Sequence, residues 1–202
     1  MRTLQLGASL HDATVVLDDR VVLRAVSVMV GPGLTLVRGP NGSGKTTLLR
    51  ALAGLVPLAR GDRRVTGDVL YIGHRPMLLR GLTARENLEF FVRFRGGDTS
   101  RIDGALRGWG LGDDMDRPVE RLSAGERRRA ALARTETERV PVLLLDEPFA
   151  DLDDAGVSRL RQVIARARGD GRSIVVATHA HRELDEMAVA QIAIDDGAAR
   201  AA

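Results

Sequence analysis

The sequence predicts an α/β fold with a mostly parallel central sheet, an N-terminal antiparallel β portion and an inserted helical lobe. Three observations predict it. From residue 34 onward, short apolar β-branched runs alternate with segments whose apolar residues recur at helical spacing, the pattern of successive βα units. The stretch Gly39-Pro40-Asn41-Gly42-Ser43-Gly44-Lys45-Thr46-Thr47 fits the phosphate-binding pattern G-x-x-x-x-G-K-[S/T] and lies between an apolar run at 34–38 and a helical one at 46–55. That is the strand, loop, helix context the pattern requires. A continuous apolar run at 140–145 ends in Asp146-Glu147-Pro148, as suits a central parallel strand that delivers two carboxylates at its carboxyl edge.

Taken in order, residues 4–10, 13–17, 21–30 and 34–37 read as strands punctuated by Asp18-Asp19 and Gly31-Pro32-Gly33, residues that favour turns. The helix at 46–55 ends near Pro57, Arg60-Gly61-Asp62 reads as a turn, and 68–72 as a strand. Thr83 with Glu86 three residues later is a capping box that opens a helix through Arg95, and Gly96-Gly97 stops it. Thr99 or Ser100 is placed to cap a further helix toward Trp109. Ser123 and Glu126 form a second capping box, opening a helix to about 139. A helix at 154–168, a strand at 173–178, a helix at 181–187 and a last strand near 191–194 complete the reading. The expected organisation is one domain across 1–202, with 1–75 and 123–202 forming the α/β core and 76–122 the helical lobe.

At 202 residues, 44% hydrophobic and 28% charged, the chain has room for one substantial core and the composition of a globular protein. No apolar run approaches the ~20 residues needed to span a bilayer. The absence of cysteine fits a reducing compartment, and the expected location is the cytoplasm. The net charge is only +3, so the pI near 10.3 reflects arginine's high pKa rather than a nucleic-acid footprint. Five of the six aromatic residues, Tyr71, Phe90, Phe91, Phe94 and Trp109, lie between residues 71 and 109. On a helix the apolar positions Leu88, Phe90, Phe91, Val92 and Phe94 cover roughly 200° of surface, wider than the stripe one core contact needs.

The phosphate loop carries the first chemistry. Its glycines let backbone N–H groups turn inward around an anion, and the helix opening near Gly44 aims its positive end at the same place. Lys45 is expected to reach the β- and γ-phosphates of a nucleoside triphosphate, and the Thr46 hydroxyl to ligate Mg²⁺. Lys45 is also the only lysine among 30 Lys plus Arg. It falls where a compact ammonium on a flexible stem suits better than a planar fork. Phosphoryl transfer further needs a carboxylate for Mg²⁺ and one to orient or deprotonate water; Asp146 is assigned the first role and Glu147 the second. His179, at the end of the next strand, is placed to donate to the γ-phosphate.

The order of the phosphate loop, Leu122-Ser123-Ala124-Gly125-Glu126, Leu144-Leu145-Asp146-Glu147-Pro148, Ala150-Asp151-Leu152-Asp153 and Ala177-Thr178-His179 resembles the ATP-binding subunits of ABC transporters over nearly the whole chain. The resemblance implies a phosphate-loop ATPase of that type, with ATP and Mg²⁺ bound and hydrolysis at a head-to-tail dimer. It also implies that Ser123, Ala124, Gly125 and Glu126 close over the γ-phosphate held by the opposite protomer and that Asp153 links the two sites. Two positions depart from the family pattern. Leu17 stands where an aromatic usually stacks on adenine, which weakens base stacking. His74, in Tyr71-Ile72-Gly73-His74-Arg75-Pro76, is the nearest match to a glutamine that helps hold Mg²⁺. At a finer level, Tyr71-Ile72-Gly73-His74 and Leu82-Thr83-Ala84-Arg85-Glu86-Asn87-Leu88 resemble the ATP-binding subunit of the haem exporter of cytochrome c biogenesis.

The expected partners are therefore a membrane-spanning transporter subunit and a second ATP-binding subunit, a homodimer being expected. Membrane attachment at the inner face comes only through the partner, and there is no direct contact with nucleic acid. A soluble ATPase of the same type acting on nucleic acid or ribosomes is the alternative, but it usually carries two ATPase halves or long coiled coils. A phosphate-loop kinase leaves residues 122–126 unexplained.

Overall fold

The computed structural model describes the backbone of residues 7–201 and, apart from residues 182, 183 and 201, their side chains. The start of the first expected strand, residues 4–6, lies outside the described residues. Two compact units are present: residues 1–71, 140–148 and 164–202 form the first, and 72–139 with 149–163 the second. The expected lobe at 76–122 falls inside the second unit.

In the first unit, β1 (Ala8–Leu17) and β2 (Arg20–Val30) form a hairpin through Asp18-Asp19. Both turn residues have positive φ, 47° and 60°, as a two-residue hairpin turn matched to strand twist demands. β1 alternates buried and exposed positions, so one face packs inward. β4 (Arg60–Val65) pairs antiparallel with β1 on its other side, and the three strands run in the order β2-β1-β4. This corrects the turn expected at residues 60–62. The strand is almost wholly exposed and lacks an apolar alternation to read, so backbone pairing along a sheet edge makes it a strand.

β3 (Gly33–Arg38), β6 (Val142–Asp146) and β7 (Ser173–Ala177) belong to a six-stranded sheet. Its order is β5-β6-β7-β3-β8-β9, with β5 at Val69–Ile72, β8 at Ala188–Asp195 and β9 at Ala198–Ala201. β3 runs parallel to both β7 and β8, and β6 parallel to β7. β6 and β7 are buried at every position and β3 at all but its last, which explains why their sequences are mostly apolar without alternation. Val37 and Asp146 both pair with Ala177; the carboxyl ends of three strands therefore align at one edge. The last expected strand, 191–194, is the middle of β8, and β9 returns beside it through Asp196-Gly197, both at positive φ. α1 (Lys45–Ala53) buries Leu48, Leu49 and Leu52 among β-strand side chains such as Val15, Leu144 and Val175.

In the second unit, α2 (Ala84–Phe94), α3 (Ile102–Gly108) and α4 (Ala124–Thr137) pack on one another. Both expected capping boxes form, Thr83 with Glu86 and Ser123 with Glu126. Neither Thr99 nor Ser100 caps α3: Asp98, whose side chain accepts from the Ser100 amide, caps a 3₁₀ turn at Thr99–Arg101, and α3 follows Arg101 without a side-chain cap. Trp109 is buried and donates its indole N–H to Glu136 at 2.8 Å. α5 (Asp154–Gly169) belongs to the second unit up to residue 163 and to the first beyond it. The helix expected at 181–187 is a 3₁₀ turn, Arg182–Met187. Among the described residues, no helix is long and apolar enough to cross a membrane.

Candidate nucleotide site

The phosphate loop leaves β3 at Arg38 and enters α1 at Lys45. Two of its glycines are required by geometry. A Cβ at residue 39 would sit 2.1 Å from the Ile194 carbonyl oxygen, and Gly44 starts the helix at φ 108°, where a side chain is strained. The first helical bond from the loop is Leu48 N–H to Gly44 O, 2.8 Å. The Ser43 amide bonds Pro40 O at 3.3 Å, and the amides of α1's first turn before Leu48 are the ones left for an anion at the helix's positive end. Lys45 is buried, and its Nζ donates to the carbonyls of Gly39 and Pro40 at 2.8 and 2.9 Å. The loop is thereby folded around its own lysine, with the ammonium held at its centre.

A cleft of about 210 Å³ is lined by this loop, the first turn of α1, Asp146, Glu147 and Val22. Ser43 Oγ is buried in the loop without a hydrogen-bond partner, an expense that a bound polyanion or its water would relieve. Asp146 is buried at the end of β6 and accepts from the Tyr71 hydroxyl at 3.3 Å. Burial pushes the Tyr71 phenol above its usual pKa against the opposing pull of Arg50, so it remains a neutral donor. Glu147 follows at φ 43°, a left-handed conformation that costs energy for a side-chain-bearing residue. Its amide donates to Ala177 O at 2.9 Å and its Oε1 lies 2.9 Å from His179 Nδ1. Among the described residues no three or more His, Cys, Asp or Glu gather as a metal cluster. One carboxylate, Asp146, and one hydroxyl, Thr46, beside a phosphate cradle nevertheless fit Mg²⁺, which takes few protein ligands and completes its shell with water and phosphate.

The first unit thus brings together residues 39–47, Asp146, Glu147 and His179. The remaining expected site residues lie in the second unit. Ser123 caps α4: its Oγ accepts from the Glu126 amide at 3.2 Å, and Glu126 Oε2 accepts from the Ser123 amide at 2.6 Å. Ala124 opens the helix, and a Cβ at Gly125 would come 3.0 Å from Asp151 O. Asp153 Oδ1 accepts from the Gly156 amide at 2.8 Å, capping α5, and its Oδ2 lies 3.7 Å from Arg129 Nη1. The His74 side chain is exposed, and its carbonyl, with that of Gly73, takes the buried Arg128 guanidinium at 3.4 and 2.6 Å.

Four residues escaped the sequence reading. Leu17 ends β1 and packs against the core, whereas Val22 lines the cleft. Bulges in the β1–β2 pairing hide which residue faces inward, because each shifts the side-chain alternation. Tyr71 stands in the sequence as one of the clustered aromatics and at the head of Tyr71-Ile72-Gly73-His74, but neither pattern points to Asp146, its partner 75 residues away. Arg38 and Arg128 stood among many arginines; a charge closing an otherwise apolar strand was the one available signal for Arg38.

A model described as ABC transporter matches residues 23–150. The cytochrome c biogenesis ATP-binding export protein CcmA 1 of Salmonella paratyphi A is 42% identical over 175 residues, which cover 80% of this chain and 84% of that protein. The corresponding CcmA of Paracoccus denitrificans is 42% identical over 161 residues, covering 79% of this chain and 76% of that protein. Among solved structures, a dimeric ATP-binding cassette in a post-hydrolysis state bound to ADP and Pi superposes with a TM-score of 0.87 at 22% identity, covering 96% of this chain and 97% of that one. Relatives this close and this fully covered, on a cassette fold that carries the phosphate loop and the paired carboxylates, make the chain a member of the ABC transporter family.

Proposed function

We propose that this chain is the ATP-binding and ATP-hydrolysing subunit of an exporter acting in cytochrome c biogenesis, held at the inner face of the cell membrane by a membrane-spanning partner. The observation that carries the chemistry is the single cleft lined by Lys45, Thr46, Asp146 and Glu147. The export role is supported by the two relatives at 42% identity.

In this reading the amides of the loop and of α1's first turn bind the phosphates, and Lys45 places its ammonium against the β- and γ-phosphate oxygens. Thr46 and Asp146 would hold Mg²⁺. When bound, the metal supplies positive charge to the phosphate oxygens. Glu147 orients the attacking water and accepts its proton. His179 meets Glu147 through Nδ1, and its other ring nitrogen, Nε2, is the one offered to the γ-phosphate. In a head-to-tail dimer, the helix terminus at Ser123, Ala124, Gly125 and Glu126 closes over the nucleotide of the other copy, and Asp153 links the two sites.

Disrupting the gene and measuring covalently haem-bearing c-type cytochromes tests the export reading. These cytochromes should disappear, return with the wild-type chain and stay absent with Glu147→Gln. Normal cytochromes in the disrupted strain would exclude the export role, and unchanged ATP turnover by purified Glu147→Gln protein would exclude the assigned chemistry.

A further inference from the structure

The end of β3 carries a second device besides the phosphate loop. Arg38, the residue before Gly39, turns its guanidinium onto the segment that follows β7. Nη1 donates to the carbonyl oxygens of Thr178, at 3.2 Å, and of Ala180; Nη2 donates to His181 O at 3.2 Å and to Asp185 Oδ1 at 2.7 Å. The four hydrogens of the two terminal nitrogens are thus all engaged. The Arg38 side chain is only 20% exposed, so these bonds are partly shielded from water.

The grip also encloses His179. The Thr178 amide bonds to Val37 O at 3.2 Å, the Ala180 amide to Thr178 Oγ1 at 3.3 Å, and His181 turns the chain at φ 62°. The carbonyls on both sides of His179 are held by one side chain, while its ring reaches 2.9 Å from Glu147. The imidazole itself is 60% exposed and has little packing of its own to fix it.

We propose that Arg38 is a positioning residue for hydrolysis: its fork holds the 178–181 turn so that His179 stays in register with Glu147, and it ties that turn to the strand on which the phosphate loop is mounted. The inference rests on the reading of Glu147 and His179 as groups acting on the nucleotide. A lysine cannot substitute, because three donors on one point charge do not span three carbonyls and a carboxylate.

The test is the steady-state kinetics and nucleotide affinity of the full chain with Mg²⁺ and ATP, for Arg38→Ala, Arg38→Lys, His179→Ala and the double variant Arg38→Ala/His179→Ala. Arg38→Ala should lower kcat roughly 10- to 100-fold, the scale set by misplacing a reacting group by about 1 Å, while nucleotide Kd stays within about twofold. Arg38→Lys should recover little of the loss, and it carries the test alone if Arg38→Ala does not fold. In the His179→Ala background, Arg38→Ala should add less than about twofold, because residues acting as a unit are not additive. Losses that multiply, or full activity in Arg38→Lys, overturn the role of Arg38. His179→Ala inactive with Arg38→Ala at the wild-type rate sinks that role alone, whereas His179→Ala at the wild-type rate sinks the reading of His179 on which it stands.

Discussion

Lys45 and Glu147 line one cleft but do different work, and substitution should separate them. Lys45→Ala removes a buried ammonium that also bridges the Gly39 and Pro40 carbonyls. Charged hydrogen bonds are worth about 1.5–3 kcal/mol each, so ATP affinity measured by calorimetry should fall more than about tenfold. Glu147→Gln leaves that cradle intact. Affinity should stay within about twofold while turnover drops roughly 10²- to 10⁴-fold, the usual contribution of a general base. Val22 brings apolar contact without a π-face to the cleft. ATP and GTP should therefore bind within the ~1 kcal/mol that stacking would discriminate, and Val22→Tyr should tighten ATP by about 0.5–1.5 kcal/mol. Displacement of a fluorescent nucleotide measures both, and a hundredfold preference for ATP in the wild type would mean that another residue reads the base.

At the scale of elements, α2 divides its aromatic face. Phe91 is half-buried beneath the Arg134 guanidinium, 3.4 Å from its ring centroid, whereas Phe90 and Phe94 are 48% and 80% exposed and stack on each other at 6.4 Å. Phe91→Ser should lower the melting temperature. Phe90→Ser and Phe94→Ser should leave unfolding and basal hydrolysis near wild type and weaken co-purification with the membrane subunit, because exposed aromatics serve as interface anchors. Equal loss of melting temperature in all three would leave Phe90 and Phe94 as packing residues only. The capping box of the same helix adds a pH dependence. Hydrogen bonds from the Thr83 amide and hydroxyl hold the Glu86 carboxyl below its ordinary pKa. A depressed folded pKa stabilises fully above the unfolded value, and the benefit disappears as pH falls through the folded one. The margin in melting temperature of wild type over Glu86→Ala should therefore be present at neutral pH and shrink in acid; a margin constant with pH would discount the carboxylate.

For the whole molecule, the proposed head-to-tail dimer would make hydrolysis and association one event. Glu147→Gln protein should be monomeric alone and dimeric with ATP by light scattering, and a strictly monomeric variant with ATP bound would sink the two-site arrangement. The sequence by itself determined the features whose physics is short in range: the phosphate loop, because its glycines and lysine act within nine residues; both capping boxes, because cap and partner are three residues apart; the carboxylates after an apolar strand, because burial on two faces writes a continuous apolar run. It also determined the hairpin at Asp18-Asp19, since those residues tolerate positive φ. The turn at Asp196-Gly197, with both residues at positive φ, is legible on the same ground. Only the tertiary structure decided that the exposed, arginine-rich 60–65 segment is a strand, that Val22 rather than Leu17 lines the cleft, and that Arg38 grips a turn and an aspartate 147 residues further along. The physical reason is common to these cases. A sheet edge, a bulged register and a guanidinium fork take their partners from distant parts of the chain, and no local pattern of polarity records which partners those are.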